Sequence, residues 1–416
     1  MASLRSVKGM NDLFGAEALS LGAVEVLARK LALRWGAEEV RTPILEKLDL
    51  FVRSVGEATD VVGKEMYAFE DKDGSSLCLR PEATASVARM LVQQGILREQ
   101  PRFRAFYAGP MFRRERPQKG RYRQFHQVGV EFFGEPEPST DVEVIALAAA
   151  ILDALGLDDV VIEIGSVGCP DCRPPYREKL LSFLREKADQ LCDLCQQRTE
   201  TNPLRCLDCK STSCQAVYEE APLPVDHLCD ACDQHQHGVE EGLKQLGLEY
   251  RVNKRLVRGL DYYRRTVFEC ITQKLGAQSA VIAGGRYDGL LGRVGGDENV
   301  AAVGFAAGTE RLQLLAREAG TEAGREPANV AVITDRNHQA EMALALMQGM
   351  RAAGLAVVSD LSDRGRKAKM KWLGKTAHRH TLFLEADGTA RLRLQDSETQ
   401  AVAPETSVLL QAICSD

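Results

Sequence analysis

Apolar residues recur at mostly helical spacing between Ala16 and Trp35, at Leu19, Ala23, Val26, Leu27, Leu31 and Leu33, which predicts an amphipathic helix. The run Glu39-Val40-Arg41-Thr42-Pro43-Ile44-Leu45 then reads as a short strand. Leu77 to Arg80 reads as a strand feeding a helix, with Pro81 near its first turn and Glu82 favoured there by the helix macrodipole. From Phe125 to Phe133 alternation puts Gln127, Gly129 and Glu131 on one strand face, with His126 on the other as a structural histidine. An apolar helix from Thr140 to Leu155 and a strand Val160-Val161-Ile162-Glu163-Ile164 follow. In Val303-Gly304-Phe305-Ala306-Ala307-Gly308 the small residues at 304, 306 and 308 leave one face bare, enough for a flat ring to lie against; a bulge or close packing would use the same residues.

The segment 167–248 breaks this strand-rich pattern with cysteine pairs, charged helices and prolines, so it reads as an insertion, and core character resumes at Tyr250. After Gly320 the hydrophilic stretch 321–328 reads as a linker. Beyond it, strand Val330–Ile333, a helix to Ala353, strand Ala356–Val358, a basic helix and strand Thr381–Leu384 alternate as β-α-β-α-β. The link between Glu385 and Arg391 is short. The expected fold is therefore α+β: a core over 1–325, a helical cysteine-rich insertion at 167–248 within it, and a separate α/β domain at 327–416. There is no internal repeat or low-complexity tract.

With 416 residues, 44% of them hydrophobic, the chain is long enough for roughly two to four domains with sizeable cores. No apolar run approaches the roughly 18 residues that would span a bilayer, and Met1 to Lys8 lacks the apolar stretch of a secretory signal, so a cytoplasmic protein without membrane contact is expected. A net charge of -6 argues against indiscriminate coating of nucleic acid, leaving any such contact to local basic patches.

Two patches stand out. The run from Arg364 to His380 is the second; alone, it reads as a solvated helix face. The first, Phe112 to Phe125, holds six cations against one carboxylate around Pro117 and Gly120, between two alternating apolar runs. That composition describes a hairpin gripping a polyanion, because guanidinium forks hold phosphate oxygens bidentately and Phe125 offers a flat face for a base. Triphosphate and nucleic acid both fit; surface salt bridges are the plainer account of an Arg-Glu-rich hairpin.

Nine of the twelve cysteines fall between Cys169 and Cys232: Cys169-x-x-Cys172, Cys192-x-x-Cys195, Cys206-x-x-Cys209, Cys214 and Cys229-x-x-Cys232. Two thiolates so spaced can share a tetrahedral Zn²⁺ at about 2.3 Å, so two structural zinc sites are the leading reading, ahead of free buried thiols and a redox dithiol. Four pairs combine into two sites in three ways, with Cys214, His227, His235 and His237 as substitutes, and spacing alone leaves the choice open.

The pattern Phe112-Arg113-x-Glu115, a loop, then Arg121-x-x-x-Phe125 resembles motif 2 of class II aminoacyl-tRNA synthetases. Leu256-Val257-Arg258-Gly259-Leu260-Asp261-Tyr262-Tyr263 and Ala283-Gly284-Gly285-Arg286-Tyr287-Asp288-Gly289-Leu290 resemble the two histidine signatures of the histidyl-tRNA synthetase family, and Lys8-Gly9-Met10-Asn11-Asp12 resembles its opening. The helix and strand from Ala16 to Leu45 resemble motif 1, which implies a homodimer, and Val303 to Leu312 resembles motif 3. The similarity runs through nearly the whole chain.

What it implies is a histidine-tRNA ligase built on an antiparallel sheet flanked by helices, with a C-terminal anticodon-binding domain. ATP, carried with Mg²⁺, histidine and tRNA(His) are its expected ligands. By resemblance Arg113 contacts the α-phosphate, Glu115 the adenine amino group, Phe125 the base, and Arg121 and Arg311 the terminal phosphates. Glu82, Ala83, Thr84 and Gln127 would surround the histidine α-amino group, Glu131 and Tyr263 the imidazole, with Tyr262 and Tyr287 in the same pocket. Tyr287 and Arg286 would lie in a Gly-rich loop closing it. Arg258 would hold the carboxylate and α-phosphate as the catalytic cation with Arg113. Arg116, Gln118 and Lys119 would face the tRNA acceptor end. The rival is a non-catalytic histidine-sensing regulatory paralogue of ATP phosphoribosyltransferase, which typically lacks the anticodon domain and erodes the ATP arginines; here Arg113, Arg121, Arg258 and Arg311 are all present.

Overall fold

The computed structural model describes residues 4–56, 59–275, 280–321, 328–334, 340–362, 364–395 and 397–414. Most of the predicted linker, 322–327, lies outside them. Two compact units emerge, Met1–Ala323 and Gly324–Asp416. The first is built on an eight-stranded sheet in the order Glu38–Glu39, Phe103–Phe112, Gln124–Phe133, Ala302–Gly308, Ala280–Arg286, Thr266–Ile271, Val161–Ser166, Tyr250–Val252. Pairing is antiparallel except at the two ends, where Glu38–Glu39 and Tyr250–Val252 each join in parallel.

Strand alternation divides the core into two layers. Phe106, Val128, Val130 and Phe132 point to one face, where Val24, Ala28 and Leu31 of the helix Ala16–Arg34 and Val144, Ile145 and Ala148 of the helix Pro138–Ala154 cover them. Tyr107 belongs to the opposite layer with Tyr262, Tyr263 and Tyr287, and Gln127 and Glu131 follow its face. That face carries the polar groups, and the insertion supplies part of its cover.

The first helix is two-sided. Leu21, Val24, Ala28 and Leu31 are buried, whereas Leu19, Val26 and Leu33 stand exposed seven residues apart. The single apolar stripe read from the sequence thus merges a core seam with an outward one. The strand expected over 39–45 is two pieces, Glu38–Glu39 and Leu45–Lys47, with Pro43 between them, since proline cannot donate to a ladder. Likewise the helix expected to start at Pro81 begins at Thr84.

Arg286 corrects a further expectation. It ends a strand rather than sitting in a loop, is fully buried, and chelates Asp141 while donating to Asp288 and to the carbonyls of Glu135 and Glu137, each at 3.2 Å. His235 reaches Asp141 from the insertion, at 3.3 Å. Arg286 therefore fixes the Asp141 carboxylate that His235 meets from the insertion. Arg286→Ala strands a buried carboxylate and is expected to cost about 3–5 kcal/mol, read by urea unfolding; a loss under about 1 kcal/mol would remove this pairing from the account.

The second unit is a five-stranded sheet, Val357–Asp360, Ala328–Thr334, His378–Leu384, Ala390–Arg393, Gln400–Val402, parallel across the first three strands and antiparallel after. The short link is a hairpin turn closed by Glu385 N–H to Thr389 O at 2.9 Å. Its basic patch is partly internal. Lys369 is buried and donates to Thr334 Oγ1 at 2.9 Å, and Arg366 pairs with Glu385, leaving Lys367, Lys371, Lys375 and Arg379 exposed.

Candidate active site

One cavity of about 700 Å³ opens on the polar sheet face. At its entrance lies the arginine hairpin, whose turn is pinned by reciprocal bonds between Gln118 and Arg121 at 3.0 and 2.9 Å. Arg113 donates from Nε to the Pro81 carbonyl at 2.9 Å, and its guanidinium lies 5.4 Å from the Phe125 ring centre. Buried Glu115 pairs with Arg121. The N-terminal segment braces this hairpin: Gly9, at φ +84°, accepts from Arg123 N–H at 2.7 Å, and a Cβ there would meet Pro117 Cγ at 2.8 Å.

Deeper in, Glu82 accepts from the N–H of Thr84 at 2.6 Å and of Ala85 at 3.1 Å, which satisfies two helix-start donors. Burial still raises its pKa above the usual carboxylate range. Glu131 accepts from Thr84 Oγ1 at 2.6 Å and from the Tyr287 hydroxyl. Only 1% of Glu131 is exposed, and burial pushes its pKa up to about 8. Gln127 Oε1 is buried beside them without a hydrogen-bond partner. Tyr262 and Tyr263 pack with ring centres 4.7 Å apart, and Arg258 sits 5.7 Å over the Tyr263 ring, paired with Glu269.

Of the residues singled out from the sequence, Glu82, Thr84, Arg113, Glu115, Gln118, Arg121, Phe125, Gln127, Glu131, Arg258, Tyr262, Tyr263, Tyr287 and Arg311 line this cavity. Ala83 is buried at the helix start and does not line it; Arg116 is exposed outside it, and Lys119 pairs with Glu318 at 3.2 Å. His126 is held by Glu310 through Nδ1 at 2.8 Å and its own N–H at 2.9 Å, with the pocket floor on the other side of its strand.

Sequence reasoning missed Glu269, Tyr107 and a wall made by Asp60, Arg198 and Arg205. Glu269 had a signal, being a lone carboxylate inside the apolar strand Thr266–Ile271. Tyr107 had none; its ring fills the space a side chain at Gly129 would take, at 2.4 Å from that position. Gly304 lies opposite Glu131 in register, and a Cβ there would meet Glu131 Oε2 at 2.1 Å and the Val130 carbonyl at 2.3 Å. Gly304→Ala is expected to displace the carboxylate, costing about 1–3 kcal/mol of stability and most of the affinity for a ligand bound there. Calorimetric titration with histidine and thermal melting check both.

Glu131 also sets a pH dependence. Its folded pKa lies above its unfolded value, so the folded state holds the proton more tightly and loses stability as pH rises from about 4.5 towards 8. Glu131→Gln should flatten this decline in melting temperature; an unchanged slope would mean that Glu131 ionises freely.

The cysteines resolve into two clusters. Cys169, Cys172, Cys229 and Cys232 form one, and Cys192, Cys195, Cys209 and Cys214 the other, each with its four sulfurs within 4.8 Å of one another. Cys206 falls outside both: the turn Pro203–Cys206 buries its thiol against the Cys195 carbonyl at 3.5 Å, and Cys214 from the next helix takes the fourth corner. Sulfur separations of 3.6 and 3.8 Å in the first cluster and 3.8 Å in the second match the edge of about 3.8 Å that a tetrahedron with 2.3 Å bonds requires.

The family model described as histidyl-tRNA synthetase matches residues 9–312. A histidine-tRNA ligase of Geobacter metallireducens is 44% identical over 402 residues, 96% of each chain. That of Geobacter sulfurreducens is 43% identical across 97% of this chain and 98% of its own. Among solved structures, the apo histidyl-tRNA synthetase of S. aureus superposes with a TM-score of 0.79 at 29% identity, covering 99% of both chains. An antiparallel sheet with an arginine hairpin over one polar cavity, together with these matches, defines an aminoacyl-tRNA synthetase. Within that class, the chain belongs to the histidyl-tRNA synthetase family.

Proposed function

We infer that the chain ligates histidine to tRNA(His) in two steps. A histidine carboxylate oxygen attacks the α-phosphorus of ATP and diphosphate leaves; the 3′-terminal ribose hydroxyl of the tRNA then attacks the histidyl carbonyl and AMP leaves. The observation that carries this reading is one cavity holding a buried carboxylate, Glu131, with Thr84 and Tyr287 at its floor and Arg113, Arg121, Arg258 and Arg311 above it.

Charge decides the division of labour. The attacked phosphate gains negative charge in the transition state, and Arg113 and Arg258, cations lining the cavity, would hold it. Arg121 and Arg311 take the leaving diphosphate, Phe125 stacks on adenine and Glu115 accepts from its amino group. Mg²⁺ arrives with ATP as part of the substrate. Glu82, Thr84 and Gln127 bind the α-ammonium, and the unpartnered Gln127 Oε1 suits that donor. Glu131, with Tyr263 and Tyr287, reads the imidazole. Ala83 contributes through its place in the helix start.

The remaining assignments are coarser. Residues 1–325 make the catalytic core, 167–248 the insertion, and 327–416 the anticodon-binding domain, whose exposed Lys367, Lys371, Lys375 and Arg379 suit an RNA backbone. Arg116, Gln118 and Lys119 face the acceptor end. Exposed Leu19, Val26 and Leu33 give the first helix an apolar stripe that a second copy would cover in a homodimer. Both cysteine clusters suit structural Zn²⁺, which would tie the insertion together. Among the described residues no helix is long and apolar enough to cross a membrane, and a cytoplasmic location suits tRNA charging.

The test is amino-acid-dependent exchange of diphosphate into ATP across all twenty amino acids. Exchange with histidine alone is expected. Histidine binding without exchange would put the regulatory sensor first instead.

A further inference from the structure

The two cysteine clusters differ in what they touch. Cys169, Cys172, Cys229 and Cys232 join the starts of the helices Arg173–Glu186 and Asp230–Gln245, and none of them lines the cavity; among the described residues their single link to its wall is Arg173, which donates to the Tyr263 carbonyl at 2.9 Å. The second cluster is built into the cavity wall. Cys192 and Cys195 stand at the start of the helix Asp193–Thr201, Cys209 and Cys214 come after the turn Pro203–Cys206, and Cys209 itself faces the cavity.

The residues between the two halves reach the substrate side. Arg198 binds Asp60 at 2.6 Å and Arg205 binds the same carboxylate at 3.4 Å. Asn202 donates to Asp261 at 3.1 Å, and Arg205 lies against Gly259, 2.9 Å from where a Cβ would stand. Gly259 and Asp261 lie within the strip that begins with Arg258 and ends in the tyrosine pair. Asp60 precedes the turn Val61–Glu65, whose Glu65 carbonyl accepts from Arg114 of the arginine hairpin at 2.6 Å. One knuckle thus touches both the histidine strip and the support of the phosphate hairpin.

We propose that Cys192, Cys195, Cys209 and Cys214 form a zinc-type thiolate centre that positions the histidine wall of the cavity through Arg198, Asn202 and Arg205, while the other cluster chiefly folds the insertion and reaches that wall through Arg173. The proposal rests on the ligase reading and adds a positioning role to it. The physical reason is that bringing Cys195 and Cys209 to one ion closes the loop 196–208, removing its freedom before substrate arrives. Without the ion, ordering that loop is charged against histidine binding and weakens it. Chemistry at the phosphate would change little, because Arg113 and Arg258 are held by Pro81 and Glu269.

The test uses the full-length protein, zinc analysis, calorimetry with histidine and steady-state exchange. Cys214 does not line the cavity, so Cys214→Ser removes a ligand without removing a wall residue. It is expected to lose one zinc equivalent and to raise the histidine Kd and KM about 10-fold, with kcat within about 2-fold. Cys229→Ser should lose the other equivalent and raise the histidine Kd by no more than about 3-fold, since Arg173 on Tyr263 is that cluster's link to the wall. Asp60→Asn should raise the Kd with both equivalents retained, and should add little on top of Cys214→Ser, since both act through one wall. Unchanged zinc or unchanged Kd in Cys214→Ser overturns the proposal, as does an equal rise in Cys229→Ser. If Cys214→Ser does not fold, an unchanged Kd in Asp60→Asn overturns it instead. A wild type inactive in exchange would sink the ligase reading, and the proposal would still be decided by zinc content and histidine Kd.

Discussion

Arg258→Ala should lower histidine-dependent diphosphate exchange by about 10³-fold in kcat, the scale on which removing one preorganised charge from a transition state acts. The Arg258 guanidinium lies over Tyr263 and pairs with Glu269, so its position is set before substrate binds. Arg113 is anchored separately, by the Pro81 carbonyl. Alanine also leaves Glu269 without its cation, which adds a negative charge beside incoming phosphates. Two comparisons separate these effects. Arg258→Lys keeps charge but loses the planar fork, and should recover only part of the rate. Glu269→Gln removes the partner alone, and should cost less than Arg258→Ala. Exchange within about 5-fold of wild type for Arg258→Ala, with the protein folded, would take Arg258 out of the mechanism.

The second large effect is on recognition. Glu131→Gln should raise the histidine KM about 10²-fold: burial pushes the carboxyl's pKa up to about 8, but an imidazole N–H donating to it favours the carboxylate, and a hydrogen bond to that charged group is worth roughly 1.5–3 kcal/mol. The carboxyl is fixed by Thr84 Oγ1 and by the Tyr287 hydroxyl, so glutamine fits the space but offers one acceptor and one donor where two acceptors stood. Discrimination should weaken along with affinity, because a site built to pair both imidazole nitrogens rejects an isostere by leaving its own polar atoms unpaired. Steady-state exchange with histidine and with non-cognate amino acids reads both quantities. An unchanged KM would move imidazole recognition to the tyrosines.

Much of this architecture is legible in the chain because its signals are local. The alternation from Phe125 to Phe133 is the observed strand Gln124–Phe133, and the helix read over Thr140–Leu155 is Pro138–Ala154. The arginine hairpin announced itself by composition. Errors arose where one residue type serves two masters. Leu19, Val26 and Leu33 share helical spacing with the buried seam yet face outwards. Arg286 shares its sequence neighbourhood with Tyr287, but alternation sends it to the other face, where Asp141 holds it. Lys369 belongs to a basic run and is nonetheless buried on Thr334.

By itself the sequence determined the order of elements, the polar face of the central strands, the cationic hairpin and the number of thiols available for metal. Those properties follow from periodicity and residue chemistry, which act within a few residues of one another. Only the tertiary structure decided that Glu269 partners Arg258, that Tyr107 occupies the space opposite Gly129, and that Cys214 rather than Cys206 completes the second cluster. It also placed Arg198 and Arg205 on Asp60, across a separation of well over a hundred residues. Such pairings depend on how a twisted sheet and an inserted helical segment meet, and no spacing along the chain encodes that distance.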